Sequence, residues 1–232
     1  MKPSILYSSI RSPHCLKVAI FLHEKGITFE RVEIDLQAKE QRTAQYLAIN
    51  PLGLVPVYTD DEGIHCDSLV IMQYLDKSYP NPRLFPEDPK QLRIVMEWIE
   101  LSNTVIRDVS HHLYWQLIEP PRTGTDWDKV AKLKHEGMKL LARLEEILIK
   151  QPYVANSMSA ADIALLPWIH GYQRFDLLQE NQFPQVNTWV KSLSSRPSFT
   201  SNYHKTGRPF LSLCFAVDAR VEKEENIRCV LN

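Results

Sequence analysis

The apolar pattern of the chain changes period part-way along. Before about residue 80 the apolar residues form short alternating or continuous runs divided by turn residues; after residue 90 they recur three and four positions apart. Ile5, Leu6 and Tyr7 predict a strand over 4–8. Residues 13–25 read as a helix that Pro13 opens and Gly26 closes, proline suiting a first helical position and glycine a left-handed end. Val32, Ile34 and Leu36 alternate with charged residues across 28–36, the period of a strand. Strand, helix and strand at this spacing imply a right-handed crossover and parallel pairing. A shorter helix is expected over 39–48, strands over 55–59 and 63–66 around Asp60-Asp61-Glu62-Gly63, and a helix over 67–78.

Pro80, Pro82, Pro86 and Pro89 then interrupt the chain; proline lacks a backbone donor and disfavours helix in the residue before it. Beyond them Val130, Leu133, Gly137, Leu140, Leu144 and Ile147 fall on one helical face, and 90–117, 159–176 and 184–195 also read as helices. The pattern predicts an α/β unit over 1–79, a proline-rich linker over 80–90, an all-helical unit over 91–200 and a tail over 201–232. The tail, with Phe210, Leu211, Leu213, Phe215 and Val217, reads either as a surface-lying end or as a segment covering a cleft or a partner.

Composition narrows the function classes. With 44% hydrophobic and 24% charged residues the chain can build a core, and a net charge of -1 gives no global field for nucleic acid or an anionic membrane. Cys15, Cys66, Cys214 and Cys229 stand far apart, with no C-x-x-C pair and no histidines at zinc spacing. No apolar run is long enough to cross a bilayer, and the first residues lack a signal-peptide pattern. The expectation is a cytoplasmic protein in a reducing compartment, without metal, membrane or nucleic-acid partner.

Three short motifs carry candidate chemistry, each with a plain structural reading beside it. Ser12 precedes Pro13 and suits a helix N-cap, worth about 1 kcal/mol as structure alone; the same position also offers a hydroxyl and helix dipole to an anion. Val55-Pro56 precedes a strand, where a trans proline is the ordinary reading. Asp67-Ser68 opens a helix, either as a cap or as a place for an anion beside a carboxylate. Ser159-Ala160-Ala161-Asp162 is a capping box, which makes Asp162 structural. His111 and His112 are adjacent, so they point to different helix faces and cannot chelate one metal.

Taken together, Ser12-Pro13-His14-Cys15, Asn50-Pro51-Leu52-Gly53-Leu54-Val55-Pro56 and Asp67-Ser68 resemble the serine-type (theta-, zeta- and tau-like) cytosolic glutathione transferases, over residues 4–200. The resemblance implies an α/β thioredoxin-like N-terminal domain plus an all-α C-terminal helical domain, a homodimer, and a detoxifying transferase that joins glutathione to a small electrophilic substrate. On that likeness Ser12 stabilises the thiolate. Leu54, Val55 and Pro56 line glutathione, with a cis Val55–Pro56 peptide; Asp67 takes its ammonium and Ser68 its γ-glutamyl carboxylate. Leu54 departs from the Lys, Arg or Gln that many relatives use for the glycyl carboxylate, which leaves Gln41, Arg42, Gln45 or Lys39 for that task. His112, Trp115 and Tyr172 are expected at the acceptor pocket, with core or interface roles equally open. Cys15 matches the second cysteine of Cys-Pro-x-Cys relatives; with Ser12 in the first place no dithiol forms, and Cys15 reads chiefly as a small buried residue, with disulfide exchange by Cys15 alone as the minor alternative. A glutathione-dependent isomerase or dehalogenase, and a non-catalytic binding protein on the same scaffold, are the alternatives.

The energetics of such a site are modest. A free cysteine-like thiol has a pKa of about 8.5 and is only about 3% ionised at pH 7. Lowering it by about two units requires roughly 2.7 kcal/mol and raises the thiolate fraction some 20-fold, within reach of one charge-assisted hydrogen bond and a helix dipole.

Overall fold

In the computed structural model, strand β1 (Ile5–Ser8) runs through helix α1 (Pro13–Glu24) to β2 (Glu30–Glu33), which pairs with it in parallel. β3 (Val57–Asp60) lies antiparallel on the other side of β1 and turns at Asp61–Glu62 into β4 (Gly63–Cys66), so the sheet order is β2-β1-β3-β4. The structure describes residues 3–203; the reading of the tail lies outside them beyond Tyr203. Helix α3 (Ser68–Ser78) packs with α1 on one face of the sheet. On the other face Tyr46, from the single-turn α2 (Ala44–Leu47), joins Ile34, Leu36 and Val57 in a small second core.

The helical unit comprises α4 (Pro89–Asn103), α5 (Val105–Leu117), α6 (Trp127–Leu148), α7 (Ala160–Tyr172), α8 (Pro184–Ser194) and the short α9 (Pro197–Thr200). Its centre is α7, apolar all round and buried along almost its whole length, as a helix with neighbours on every side must be. The capping box forms: Asp162 accepts the Ser159 N–H at 2.9 Å, and also the Val154 N–H and the indole N–H of Trp189, both at 3.0 Å. α1 packs directly on α7, and one continuous apolar cluster runs from Leu6 and Phe21 through Trp98 and Trp168 to Trp189.

Three expectations are corrected. The helix read over 90–117 is two helices, because Thr104 leaves helical geometry (φ -117, ψ -94) and its hydroxyl donates to the Glu100 carbonyl. The helix read over 39–48 is a 3-10 turn at Glu40–Arg42 followed by α2, divided by an extended Thr43 whose hydroxyl caps the second piece. The ladder of β2 stops at Glu33, although Ile34 and Leu36 keep the predicted buried alternation.

The linker is anchored rather than loose. The buried Lys25 ammonium donates to the Asp76 carboxylate and to the carbonyls of Tyr79 and Pro82, while the same carboxylate accepts the N–H groups of Leu84 and Phe85.

Candidate active site

Strand register gathers the three motifs at one end of the sheet. Tyr7, Val57 and Cys66 form a row across β1, β3 and β4. Just beyond that row lie the loop carrying Ser12, the Val55–Pro56 peptide and the Asp67–Ser68 pair. The Val55–Pro56 bond is cis.

Ser12 is the N-cap of α1, in extended geometry and 2% exposed. Its hydroxyl oxygen accepts the Cys15 N–H at 3.3 Å, and its own N–H donates to the Ser9 carbonyl at 3.0 Å. A hydroxyl that accepts from the helix keeps its proton to donate elsewhere. The neighbours differ: Ser9 donates its hydroxyl to Glu33 at 3.4 Å, and Tyr7 packs edge-on against Tyr46. Burial pushes the Cys15 thiol up to about 12, and its sulfur accepts the Ser9 N–H at 3.3 Å. That is the environment of an inert thiol.

Asp67 caps α3 through one oxygen, Oδ1, which accepts the N–H groups of Leu69 at 2.8 Å and Val70 at 3.3 Å. Its backbone sits at φ 73, ψ 134, outside the ordinary regions for a residue with a Cβ. Such backbone costs of order 1–3 kcal/mol and gathers at binding sites. Ser68 follows, buried, as the first residue of α3.

The loop before Pro56 is held from both sides. The Leu54 carbonyl accepts the Tyr46 hydroxyl at 2.7 Å and the Asn50 amide at 2.8 Å, which leaves the Leu54 side chain 56% exposed. Arg42 donates to the Leu52 carbonyl at 3.2 Å. Of the four polar residues that could stand in for Leu54, Gln41 is distinctive: it is 1% exposed, and neither its amide oxygen nor its amide nitrogen has a hydrogen-bond partner among the described residues. A buried amide in that state costs about 1–3 kcal/mol, an expense that a bound polar group removes.

The acceptor residues are dispersed. His112 places Nδ1 2.8 Å from the Asp108 carbonyl one turn back and stacks on His111. Trp115 lies partly exposed, 6.4 Å from the His111 ring. Tyr172 is corrected: it lies wholly inside the helical unit, its hydroxyl 3.4 Å from the Ile106 carbonyl and its ionisation pushed up by burial. Sequence reasoning missed His14, which meets Trp168 edge-on at 5.5 Å between the two units, and Lys17. The Lys17 side chain is 0% exposed, and its ammonium donates to Asn103 Oδ1 at 2.7 Å. A lysine in the otherwise apolar run Leu16–Leu22 was the available signal. Among the described residues no group of His, Cys, Asp and Glu could hold a metal ion, and no helix is long and apolar enough to cross a membrane.

A four-stranded thioredoxin-like sheet joined to a helical unit, with an N-cap serine, a cis proline and an acid-serine helix start at one sheet end, defines the fold class. Residues 6–83 match the glutathione S-transferase N-terminal domain and residues 106–197 match the C-terminal domain. The chain is 30% identical over 203 residues to a zeta-class glutathione S-transferase of Euphorbia esula, covering 85% of this chain and 89% of that one. It is also 30% identical over 205 residues to a Vibrio cholerae protein named "Probable maleylacetoacetate isomerase", covering 86% and 94%. Among solved structures, glutathione transferase URE2P6 of Phanerochaete chrysosporium, in complex with oxidized glutathione, matches with a TM-score of 0.76 at 27% identity over 87% of this chain and 95% of that one. The chain belongs to the glutathione S-transferase family.

Proposed function

We propose that the protein is a serine-type glutathione transferase that conjugates the glutathione thiolate to small electrophiles. The observation that carries this reading is Ser12: a buried N-cap hydroxyl whose oxygen is occupied by the Cys15 N–H and whose proton remains to be donated. Glutathione lies with its cysteinyl backbone along Val55 and Pro56, its γ-glutamyl carboxylate at the head of α3 beside Ser68, and its ammonium near Asp67. Gln41 takes the glycyl carboxylate that the Leu54 side chain cannot bind; its unpartnered buried amide supports this assignment. The thiol proton leaves to solvent, Ser12 donates to the resulting thiolate, and sulfur forms a bond to the electrophilic carbon as the leaving group departs with its electron pair. His112 and Trp115 line the acceptor side.

Exposed Ile64 on β4 and Val70 on α3 support pairing with a second copy of the chain, and the compartment that suits these free thiols is the cytoplasm. The 30% identity to the Vibrio cholerae protein favours one second reading, in which glutathione is recycled in an isomerisation.

The test is the ultraviolet thiolate spectrum of bound glutathione against pH. A bound-thiol pKa about two units below that of free glutathione, lost in Ser12→Ala, is expected. An unshifted thiol overturns the transferase reading. Glutathione consumed one-for-one with substrate separates conjugation from isomerisation.

A further inference from the structure

The turn that presents Ser12 is anchored by a side chain from a neighbouring strand. Parallel pairing sets Glu33, the last residue of β2, opposite Ser8, the last residue of β1. The chain then leaves β1 through a tight turn over Ser9–Ser12, closed by the Ser12 N–H donating to the Ser9 carbonyl at 3.0 Å. A turn of this kind does not itself use the N–H of its second residue. Here the Ile10 N–H donates to Glu33 Oε1 at 2.8 Å, and the Ser9 hydroxyl donates to the same oxygen at 3.4 Å. A backbone N–H on a carboxylate is one of the stronger hydrogen bonds.

The other side of the turn is held from α1. The buried Ser9 N–H, one residue past the end of β1, donates to Cys15 Sγ at 3.3 Å, and the Cys15 N–H donates to Ser12 Oγ at 3.3 Å. Ser9, Ser12 and Cys15 thus close a ring of three hydrogen bonds that includes the Ser12 hydroxyl oxygen. Glu33 ties that ring to the sheet, so the direction in which Ser12 donates its proton depends on where Glu33 holds Ser9 and Ile10.

We infer that Glu33 is a positioning residue for Ser12: without touching the thiol, its carboxylate fixes the Ser9–Ser12 turn and thereby the hydroxyl that donates to the sulfur of glutathione. This rests on the glutathione transferase reading. Glu33 acts on a bound thiolate in two ways that carry opposite signs. As a charge it disfavours the thiolate, so its removal would lower the thiol pKa. As an anchor it favours the thiolate through Ser12, so its removal raises the pKa.

The experiment is ultraviolet titration of glutathione bound to the full chain and to its Glu33→Ala, Glu33→Gln, Ser12→Ala and Ser12→Ala/Glu33→Ala variants. Calorimetry with S-methylglutathione, whose sulfur cannot ionise, reads binding independently. Glu33 is exposed, so these substitutions at it spare the core. Glu33→Ala is expected to raise the bound-thiol pKa by about one unit, a roughly ten-fold loss of thiolate, while S-methylglutathione affinity changes less than about two-fold. Glu33→Gln retains an acceptor oxygen for the Ile10 N–H and is expected to keep the low value. Once Ser12 is alanine, Glu33→Ala gives no further rise, because the anchor then has nothing to aim. A lowered or unmoved pKa in Glu33→Ala, an equal rise in Glu33→Gln, a further rise without Ser12, or a matching fall in S-methylglutathione affinity overturns the role of Glu33 and leaves the transferase reading intact. An unshifted thiol in the unaltered chain, or its failure to bind S-methylglutathione, overturns that reading and this one with it.

Discussion

Ser12 does two things with one hydroxyl: it closes the start of α1 and keeps a proton for a partner. Replacing it with alanine is expected to lower turnover on a generic electrophile ten-fold or more, read as kcat/KM, with about 1 kcal/mol of stability lost from the cap. Unchanged turnover would move the role to Ser9 or Cys15. Lys17 makes a stability prediction with a definite sign. Its amine falls from 10.5 to about 8 on folding, chiefly through burial, so between those values the unfolded chain binds the extra proton. Stability therefore rises with pH across that window, by about 3 kcal/mol in total, and the full penalty stands below pH 8. Urea denaturation at pH 7.5 and 10 is expected to show this rise relative to Lys17→Met, which has nothing to titrate; equal slopes would refute it. The two residues also mark what could be read in advance. Ser12, Asp67 and Ser68 announce themselves through local cap chemistry next to Pro13 or a strand end. The burial of Lys17 depends on chain 86 residues away, at Asn103, and the orphaned amide of Gln41 on how its turn is packed, and no local pattern encodes either.

At the scale of elements, the loop between α2 and β3 works as a rigid shelf for the cis proline. Gly53 turns at φ 61, and a Cβ there would lie 2.7 Å from the Gln41 carbonyl and 2.9 Å from the Arg42 guanidinium. Gly53→Ala is expected to cost about 1–3 kcal/mol in urea denaturation and to weaken glutathione binding by displacing Gln41. A variant with unaltered stability and affinity would show that the shelf yields. Element identity was largely legible: β1, α1, β3, β4 and α3 follow their periodicities within a residue or two. Two of the three failures occur where a threonine interrupts a run whose period continues through it; the third, the early end of the β2 ladder, does not. At Thr104 the apolar spacing of 90–117 runs on, yet the backbone turns; at Thr43 the hydroxyl caps a new turn within the expected helix 39–48. Periodicity reports which face is buried and is silent on a single residue leaving helical geometry.

At the scale of the whole molecule, the two units are joined by charge at the linker and by apolar packing between α1 and α7. Asp76 satisfies the Lys25 ammonium and two N–H groups of the linker, so Asp76→Ala strands a buried cation; the expected loss is about 3–5 kcal/mol, read from the denaturation midpoint. A loss below about 1 kcal/mol would mean that water reaches Lys25. The outer end is fastened as well: Arg196 donates twice to the Glu24 carboxylate, both at 2.7 Å, bringing the last described helix onto α1. The apolar cluster passes unbroken from Leu6 through Trp168 to Trp189, so the described residues show no seam between the two units along α1 and α7. The two halves of this protein are thus a matched set: a chimera pairing its sheet half with the helices of a relative would inherit mismatched side chains along α1 and α7, and such hybrids should succeed only when those two helices travel together.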